Sequence, residues 1–101
     1  MANLDLSSNS IEVISALAGL TAVTDLDLYD NVIVLITSLQ YLVNISELDL
    51  GGNAVVDIEP LVDNAGLATG DLVKLDSCPL STLSENTYIP LLEGRGVYVS
   101  Y

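Results

Sequence analysis

The stretch Leu48-Asp49-Leu50-Gly51-Gly52-Asn53-Ala54-Val55 recurs in phase twice upstream, and this recurrence decides the fold. Its pattern, Leu-x-Leu-x-x-Asn followed two positions later by an apolar residue, also begins at Leu4 and at Leu26. The period is therefore 22 residues, a length that is typical of a solenoid of stacked repeats. A variant fourth copy begins three residues late, at Val73, after the glycine-containing stretch 64–71, which we interpret as a looped-out corner.

The spacing of apolar residues predicts the elements of each repeat. Alternation predicts a short strand with both leucines inward and the residue between them outward. Apolar residues spaced by three after the Asn predict tight 3-10 turns on the far side. Residues 84–93 read as a closing helix with Ser84 as N-cap and Gly94 as its end, and Val97-Tyr98-Val99 reads as a fifth strand. The predicted division of this single domain is into repeats 4–25, 26–47, 48–72 and 73–83, with a closing helix and strand over 84–101.

Composition excludes several classes of function. The net charge is −12, with Lys74 and Arg95 as the only basic residues, so nucleic acid and anionic membranes are poor partners. The chain has no histidine, no phosphate-binding glycine motif and a single cysteine, Cys78, so we expect no enzyme, no cofactor and no metal centre. Residues 1–20 carry no secretion signal. The longest run without charge, 31–46, is shorter than the roughly 20 residues of a membrane span, so we expect no membrane insertion.

One polar position recurs at the same phase in every repeat. It is occupied by Asn9, Asn31 and Asn53, with Cys78 in the fourth place. A buried amide at this position can bond the backbone groups of adjacent turns, which would otherwise stay unpaired. We therefore interpret these residues as a structural ladder rather than as ligands.

Acidic residues gather on the predicted outward side of the strands. Asp5, Asp27 and Asp49 form a row between the strand leucines, and Lys74 and Tyr98 continue it. Repulsion between exposed carboxylates at the strand spacing is about 1 kcal/mol or less per pair, so the row needs no ligand to be tolerated. Three interpretations stay open: a solvated face without a role, a binding site for a basic protein, and a calcium site. The residues of this predicted binding face are Asp5, Asp25, Asp27, Tyr29, Asp30, Glu47, Asp49, Lys74, Asp76 and Tyr98.

The repeats resemble the 22-residue leucine-rich repeats of the internalin type. The segment 59–101, with Cys78-Pro79-Leu80-Ser81, Tyr88-Ile89-Pro90 and Arg95-Gly96-Val97, resembles the C-terminal closing segment of bacterial cell-surface proteins of this family. The resemblance implies an α/β leucine-rich-repeat solenoid, a horseshoe segment with parallel strands on its concave face and short helical turns on its convex face. It also implies protein binding at the concave face without catalysis, and favours an extracellular or cell-surface location.

The start of the sequence departs from this pattern. Met1-Ala2-Asn3 runs directly into the first strand, with no helix or hairpin over Leu4, Leu6 and Ile11. Because solenoids need a polar cap at each end, we expect either a longer parent protein or self-association through this edge. The run Val32-Ile33-Val34-Leu35-Ile36 is more apolar than the core requires, so either an exposed second contact or partial burial under neighbouring turns explains it. The favoured function is partner binding through the acidic face, and the alternatives are a structural repeat fragment and a calcium-binding domain.

Overall fold

Five three-residue strands form one parallel sheet, in the order in which they occur along the chain. The structure, a computed structural model, describes residues 2–101. The strands are β1 (Asn3–Asp5), β2 (Asp25–Asp27), β3 (Glu47–Asp49), β4 (Leu72–Lys74) and β5 (Tyr98–Ser100). The register joins equivalent positions of successive repeats, so that Leu4, Leu26 and Leu48 are direct neighbours across the sheet.

Short helical turns return the chain on the other side of the core. Repeats one and two return through the 3-10 helices Ser15–Gly19 and Thr37–Tyr41, as the three-residue spacing predicts. Repeat three instead forms helix α1, Glu59–Asp63, because Pro60 lies in its first turn, where a missing N–H costs nothing. The chain closes with a π-helical turn, Ser84–Tyr88, that leads into helix α2, Ile89–Gly94. The predicted α/β solenoid of five parallel strands and short helical turns is confirmed.

The core between these two sides is aliphatic and layered. In repeat two, Leu28, Ile33, Ile36, Leu39 and Leu42 are all buried, because the repeat is covered on both sides. In repeat one Ile14 is buried, but most of the other apolar side chains are at most partly buried, because within residues 2–101 this repeat has a neighbour on one side alone. These half-buried residues include Leu4, Leu6 and Ile11.

The predicted fifth strand is displaced by one residue. Val73 pairs with Val99, and Lys74 pairs with Ser100. The assignment of Tyr98 to the row of Asp5, Asp27 and Asp49 is therefore wrong, because Ser100 takes that position and Tyr98 lies beside Leu72. The physical reason is that Val97 is buried as the chain leaves helix α2, so the strand starts one residue later.

The predicted N-cap of the closing helix is wrong. Its first turn begins at Thr82, and the Ser81 hydroxyl oxygen accepts a 3.0 Å hydrogen bond from the Ser84 N–H, so Ser81 is the N-cap. Ser84 is fully buried instead, because its hydroxyl reaches back to repeat three. At the other end, helix α2 ends at Gly94 as predicted, and Gly96 with φ of 88° takes the left-handed position two residues later.

The first half of the stretch 64–71 is packed rather than looped out, contrary to the prediction, whereas residues 68–70 form an exposed turn. Asn64 is buried and donates hydrogen bonds to the carbonyls of Leu39 and Leu42, at 2.8 and 3.1 Å. Leu67 joins the core. At Gly66 a Cβ would lie 1.8 Å from the Val43 carbonyl oxygen, so only glycine allows this close approach. The three extra residues of this repeat thus build a corner that contacts repeat two.

Candidate interaction surface on the sheet

Two parallel columns of carboxylates lie on the solvent side of the sheet. The register places Asp5, Asp27 and Asp49 side by side, with Asp25 and Glu47 in the adjacent column. Neighbours within a column are separated by the strand spacing of about 4.8 Å. We call these five residues the acidic face. They line a shallow depression of about 260 Å³ together with Asn3, Leu4, Leu26 and Lys74.

The row of aspartates stabilises the turns that follow the first three strands. One carboxylate oxygen of Asp27 accepts a hydrogen bond from the Tyr29 N–H at 3.0 Å, and Asp49 makes the same bond to Gly51 at 2.9 Å. Asp5 accepts from both the N–H and the hydroxyl of Ser7, and the hydroxyl bond above all holds the pKa of this carboxyl below its usual range. Such bonds from an Asp to the N–H two residues on stabilise the turn that follows each strand. The second oxygen of each carboxylate is left for solvent or a partner.

The adjacent column has no such task. Asp25 has one long contact, 3.4 Å, from the Ser46 hydroxyl, and Glu47 lies exposed beside it on β3. Turn chemistry therefore explains the presence of Asp27 and Asp49 but not that of Asp25 and Glu47. This difference separates acids that stabilise a turn from acids that have no such role.

The remaining residues of the predicted binding face lie outside the depression. Tyr29 packs over Gly51, where a Cβ would lie 3.1 Å from the ring, so this tyrosine covers strand backbone. Asp30 occupies the left-handed turn position that follows. Asp76 accepts two hydrogen bonds from the Ser100 hydroxyl, at 2.7 and 2.9 Å. Tyr98 is exposed on the sheet side next to Leu72.

The asparagines at the ladder position differ in burial from one repeat to the next. The amide of Asn31 accepts from the Ile11 N–H and donates to the carbonyls of Leu6 and Leu28, each at 3.0 Å. Asn53 repeats this arrangement one turn later. Asn9 is exposed and bonds only carbonyls of its own turn, contrary to the expectation of burial, because no earlier turn covers it in residues 2–101.

Cys78 takes the ladder position in the fourth repeat. Its thiol donates to the Leu50 carbonyl at 3.1 Å. Burial raises the pKa of the Cys78 thiol, so it stays protonated and is a poor nucleophile. Its environment is therefore structural rather than reactive.

Sequence reasoning missed a second recurring position, one residue before the ladder. Ser8, Asp30, Gly52 and Ser77 all have positive φ, between 56° and 68°. Only Gly52 signals this conformation in the sequence, because glycine adopts it without steric cost. The other three residues gave no comparable signal.

The described part of the chain contains neither a candidate metal cluster nor a candidate membrane helix. Among residues 2–101, no three His, Cys, Asp or Glu side chains are grouped so that they could hold a metal ion. In the same range, no helix combines the length and apolar character needed to cross a bilayer.

The stacked strands, the amide ladder and the short helical returns define a leucine-rich-repeat fold of the internalin type. An internalin (InlF) of Listeria monocytogenes shares it with a TM-score of 0.78 and 23% identity, over 99% of this chain and 27% of that one. Internalin C2 of the same organism matches with a TM-score of 0.72 and 27% identity, over 99% of this chain and 51% of that one. A leucine-rich-repeat protein of Leptospira interrogans matches with a TM-score of 0.61 and 17% identity, over 100% of this chain and 37% of that one.

The chain spans about half the length of internalin C2 and less of the other two proteins. No protein-family model matches the sequence, and no curated protein matches it. The structural neighbours support a repeat module for protein interaction, since stacked repeats create extended binding surfaces.

Proposed function

We propose that this chain is a non-enzymatic interaction module that binds a protein partner with a basic surface through the acidic face. The observation that carries the proposal is the column of Asp25 and Glu47 beside that of Asp27 and Asp49. The fold gives no structural task to Asp25 or Glu47, and together the two columns concentrate negative charge on one open surface. Complementary charge steers a basic partner to such a surface and fixes its orientation.

The shape of the site fits protein contact better than catalysis. The depression is shallow, and its carboxylates share one kind of environment along each column. General acid and base chemistry instead needs carboxyl groups in contrasting environments. The exposed ring of Tyr98 at the margin adds the kind of side chain that contributes strongly to protein interfaces. The resemblance to bacterial cell-surface repeat proteins makes an extracellular partner the fitting target.

The test compares two double variants with the same change in net charge. Asp25→Lys with Glu47→Lys reverses charge on the acidic face without touching the turn bonds of Asp27 and Asp49. The matched control reverses Asp63 and Glu85, two exposed acids of the helical side. The probe is a cationic protein, cytochrome c, titrated at low salt and followed by amide shifts in NMR spectra.

We expect the unmodified protein to show shifts clustered on β1–β3 that weaken as salt is added, because added ions screen exposed charges. The acidic-face variant should lose these shifts, while the control keeps them. Equal loss in both variants would mean that net charge alone drives the contact, and the proposal would then fail.

A second candidate function is self-assembly through the N-terminal edge. It is favoured by the half-burial of Leu4, Leu6 and Ile11 and by the exposed amide of Asn9. Two acidic copies repel each other, so screening should strengthen this association, opposite to its effect on a basic partner. Sedimentation of a single species at monomer mass, at high micromolar concentration and at both low and high salt, would contradict self-assembly.

Calcium binding is the third expectation, and among residues 2–101 no group of three acidic, His or Cys side chains is placed so that it could hold the ion. Its test is a calcium titration followed by the melting temperature. A saturable rise in melting temperature would support calcium binding, because a cation that binds only the folded state stabilises that state.

A further inference from the structure

A second surface of this chain is apolar where the fold does not require it. The exposed side chains lie between the ladder and the helical turns, and Val13 and Leu35 are 73% and 75% exposed. We call this surface the apolar patch. It consists of Val13, Val32, Val34, Leu35 and Val56.

Equivalent positions in neighbouring repeats show that the core does not need these side chains. Val34 of repeat two corresponds to Glu12 of repeat one, and Leu35 corresponds to Asp57 of repeat three. The core positions on either side, Ile33 and Ile36, are fully buried. Charged residues are therefore compatible with the fold where Val34 and Leu35 stand. Sequence reasoning left partial burial under neighbouring turns as one explanation of this run; Val34, which is 46% exposed, agrees with it, whereas Leu35, which is 75% exposed, does not.

The backbone beneath the patch is held in place by the ladder. Val32 donates its N–H to the Ile11 carbonyl at 2.9 Å, and Ile33 donates to the amide oxygen of Asn53 at 3.1 Å. A groove of about 260 Å³ runs between Val13 and Leu35, with Glu12, Thr37 and Ser38 in its walls. Because the groove is formed in advance, a ligand would bind without the entropic cost of ordering it.

Charge indicates what kind of segment fits this groove. Glu12 lines it, and Asp57 stands next to Leu35 in the repeat register. Both basic side chains of the protein lie elsewhere: Lys74 is on β4, and the Arg95 guanidinium donates to carbonyls at the end of helix α1. We propose that the groove takes one apolar side chain presented between lysines or arginines on a partner protein. This contact is separate from the acidic face, which needs no apolar anchor.

The probes are two capped peptides that differ in one side chain, Lys-Lys-Leu-Lys-Lys and Lys-Lys-Gly-Lys-Lys. We expect the leucine peptide to shift the amides and methyls of Val13, Val34 and Leu35 in NMR spectra. The glycine peptide should bind there at least about tenfold more weakly, because it lacks the apolar side chain that the groove would bury. Equal affinity of the two peptides, or shifts confined to the acidic face, would overturn the inference.

Variants locate the contact on the groove itself. Leu35→Asp should weaken the leucine peptide at least about tenfold, whereas Leu83→Asp, at an exposed leucine of the closing helix, should leave it unchanged. Leu35→Ser serves the same purpose if the charged variant does not fold. If the shifts of Leu35 instead depend on protein concentration without peptide, a second copy occupies the groove, and the proposed partner is wrong.

Discussion

The amide of Asn31 joins two repeats through a single side chain. It accepts from the backbone of the preceding turn at Ile11 and donates both to that turn and to its own. Because the amide is only 5% exposed, water cannot replace these bonds when the side chain is removed. Asn9 has the same residue type at the same phase, but its bonds stay within its own exposed turn.

Asn31→Ala should therefore lower the free energy of unfolding by about 1–3 kcal/mol, the cost of leaving buried partners unpaired. Asn9→Ala is the matched control, and its loss should stay within about 0.5 kcal/mol, as for most surface changes. Urea unfolding of the two variants makes the comparison. Similar losses for both would contradict the role assigned to the ladder.

Tyr88 gives the stability of the protein a dependence on alkaline pH. Its hydroxyl donates a 2.6 Å hydrogen bond to a carboxylate oxygen of Glu59, which raises the pKa of Tyr88 to about 12. The folded state thus holds this proton more tightly than the unfolded state, where the phenol has a pKa of about 10. The contribution is complete below about pH 10 and is lost as the pH rises through about 12.

Tyr88→Phe should remove this contribution, so the stability difference from the unmodified protein should shrink between about pH 10 and about pH 12. Tyr98→Phe, at an exposed tyrosine of β5, is the control and should leave the pH profile unchanged. Chemical unfolding across this range and ultraviolet titration of the phenolate provide the measurements. A difference that grows with pH would have the wrong sign.

The sequence predicted which residues occupy the ladder position but not how deeply each of them is buried. The repeat pattern identifies Asn9, Asn31 and Asn53 as equivalent, whereas burial depends on which turns lie beside each one. The same holds for Asp49, whose position between two leucines predicts an outward carboxylate. The pattern contains no information about the bond that folds this carboxylate back onto Gly51.

At the scale of elements, the N-cap predicted at Ser84 lies instead at Ser81. Ser81 caps the helix, and Ser84 is buried between helix and repeat three. The Ser84 hydroxyl donates to the Val56 carbonyl at 2.9 Å and accepts from the Ile58 N–H at 3.2 Å. It thereby pairs two backbone groups of the third repeat at a place other than the ladder position. Local cap signals could not separate the two serines, because only the tertiary contact distinguishes them.

Aspartate at each position discriminates between the two tasks. Ser81→Asp should change stability little, because aspartate is as good an N-cap as serine. Ser84→Asp should destabilise strongly, because it buries a carboxylate at a position that is 0% exposed. Melting temperatures of the two variants give the answer. Equal tolerance of aspartate at both positions would support the original assignment of Ser84 as the cap.

At the scale of the whole molecule, charge opposes the compact state. The net charge of −12 is spread over 101 residues with two basic side chains, so the folded state concentrates repulsion that the unfolded chain relieves. Sodium chloride should therefore raise the melting temperature, most steeply at low salt, because the Debye length falls to about 8 Å near physiological ionic strength.

The variant with Asp25→Lys and Glu47→Lys is informative for this dependence as well. It lowers the net charge from −12 to −8 and places lysines beside Asp27 and Asp49, so its melting temperature should depend less on salt than that of the unmodified protein. Circular dichroism melts across a salt series provide the test. A salt response as steep as that of the unmodified protein would show that the acidic face contributes nothing to the repulsion.

The fold class was accessible from the sequence because the 22-residue period recurs in three in-phase copies, followed by a variant fourth. The register of β5 was not, because it depends on how α2 packs Val97 into the core. The acidic face was predicted as a set of residues. Its division into turn-forming and unassigned acids follows only from hydrogen bonds that sequence spacing does not specify.

Most side-chain hydrogen bonds between successive repeats point back along the chain. The side chains of Asn31, Asn53, Asn64, Ser84 and Arg95 all bond backbone groups of a turn that was synthesised earlier. During translation each repeat is therefore completed only when its successor leaves the ribosome. Cutting the chain after residue 80 should accordingly leave the Ile58 N–H without its Ser84 acceptor, which hydrogen exchange at Ile58 would report. Protection at Ile58 that persists in the shortened chain would contradict this order of completion.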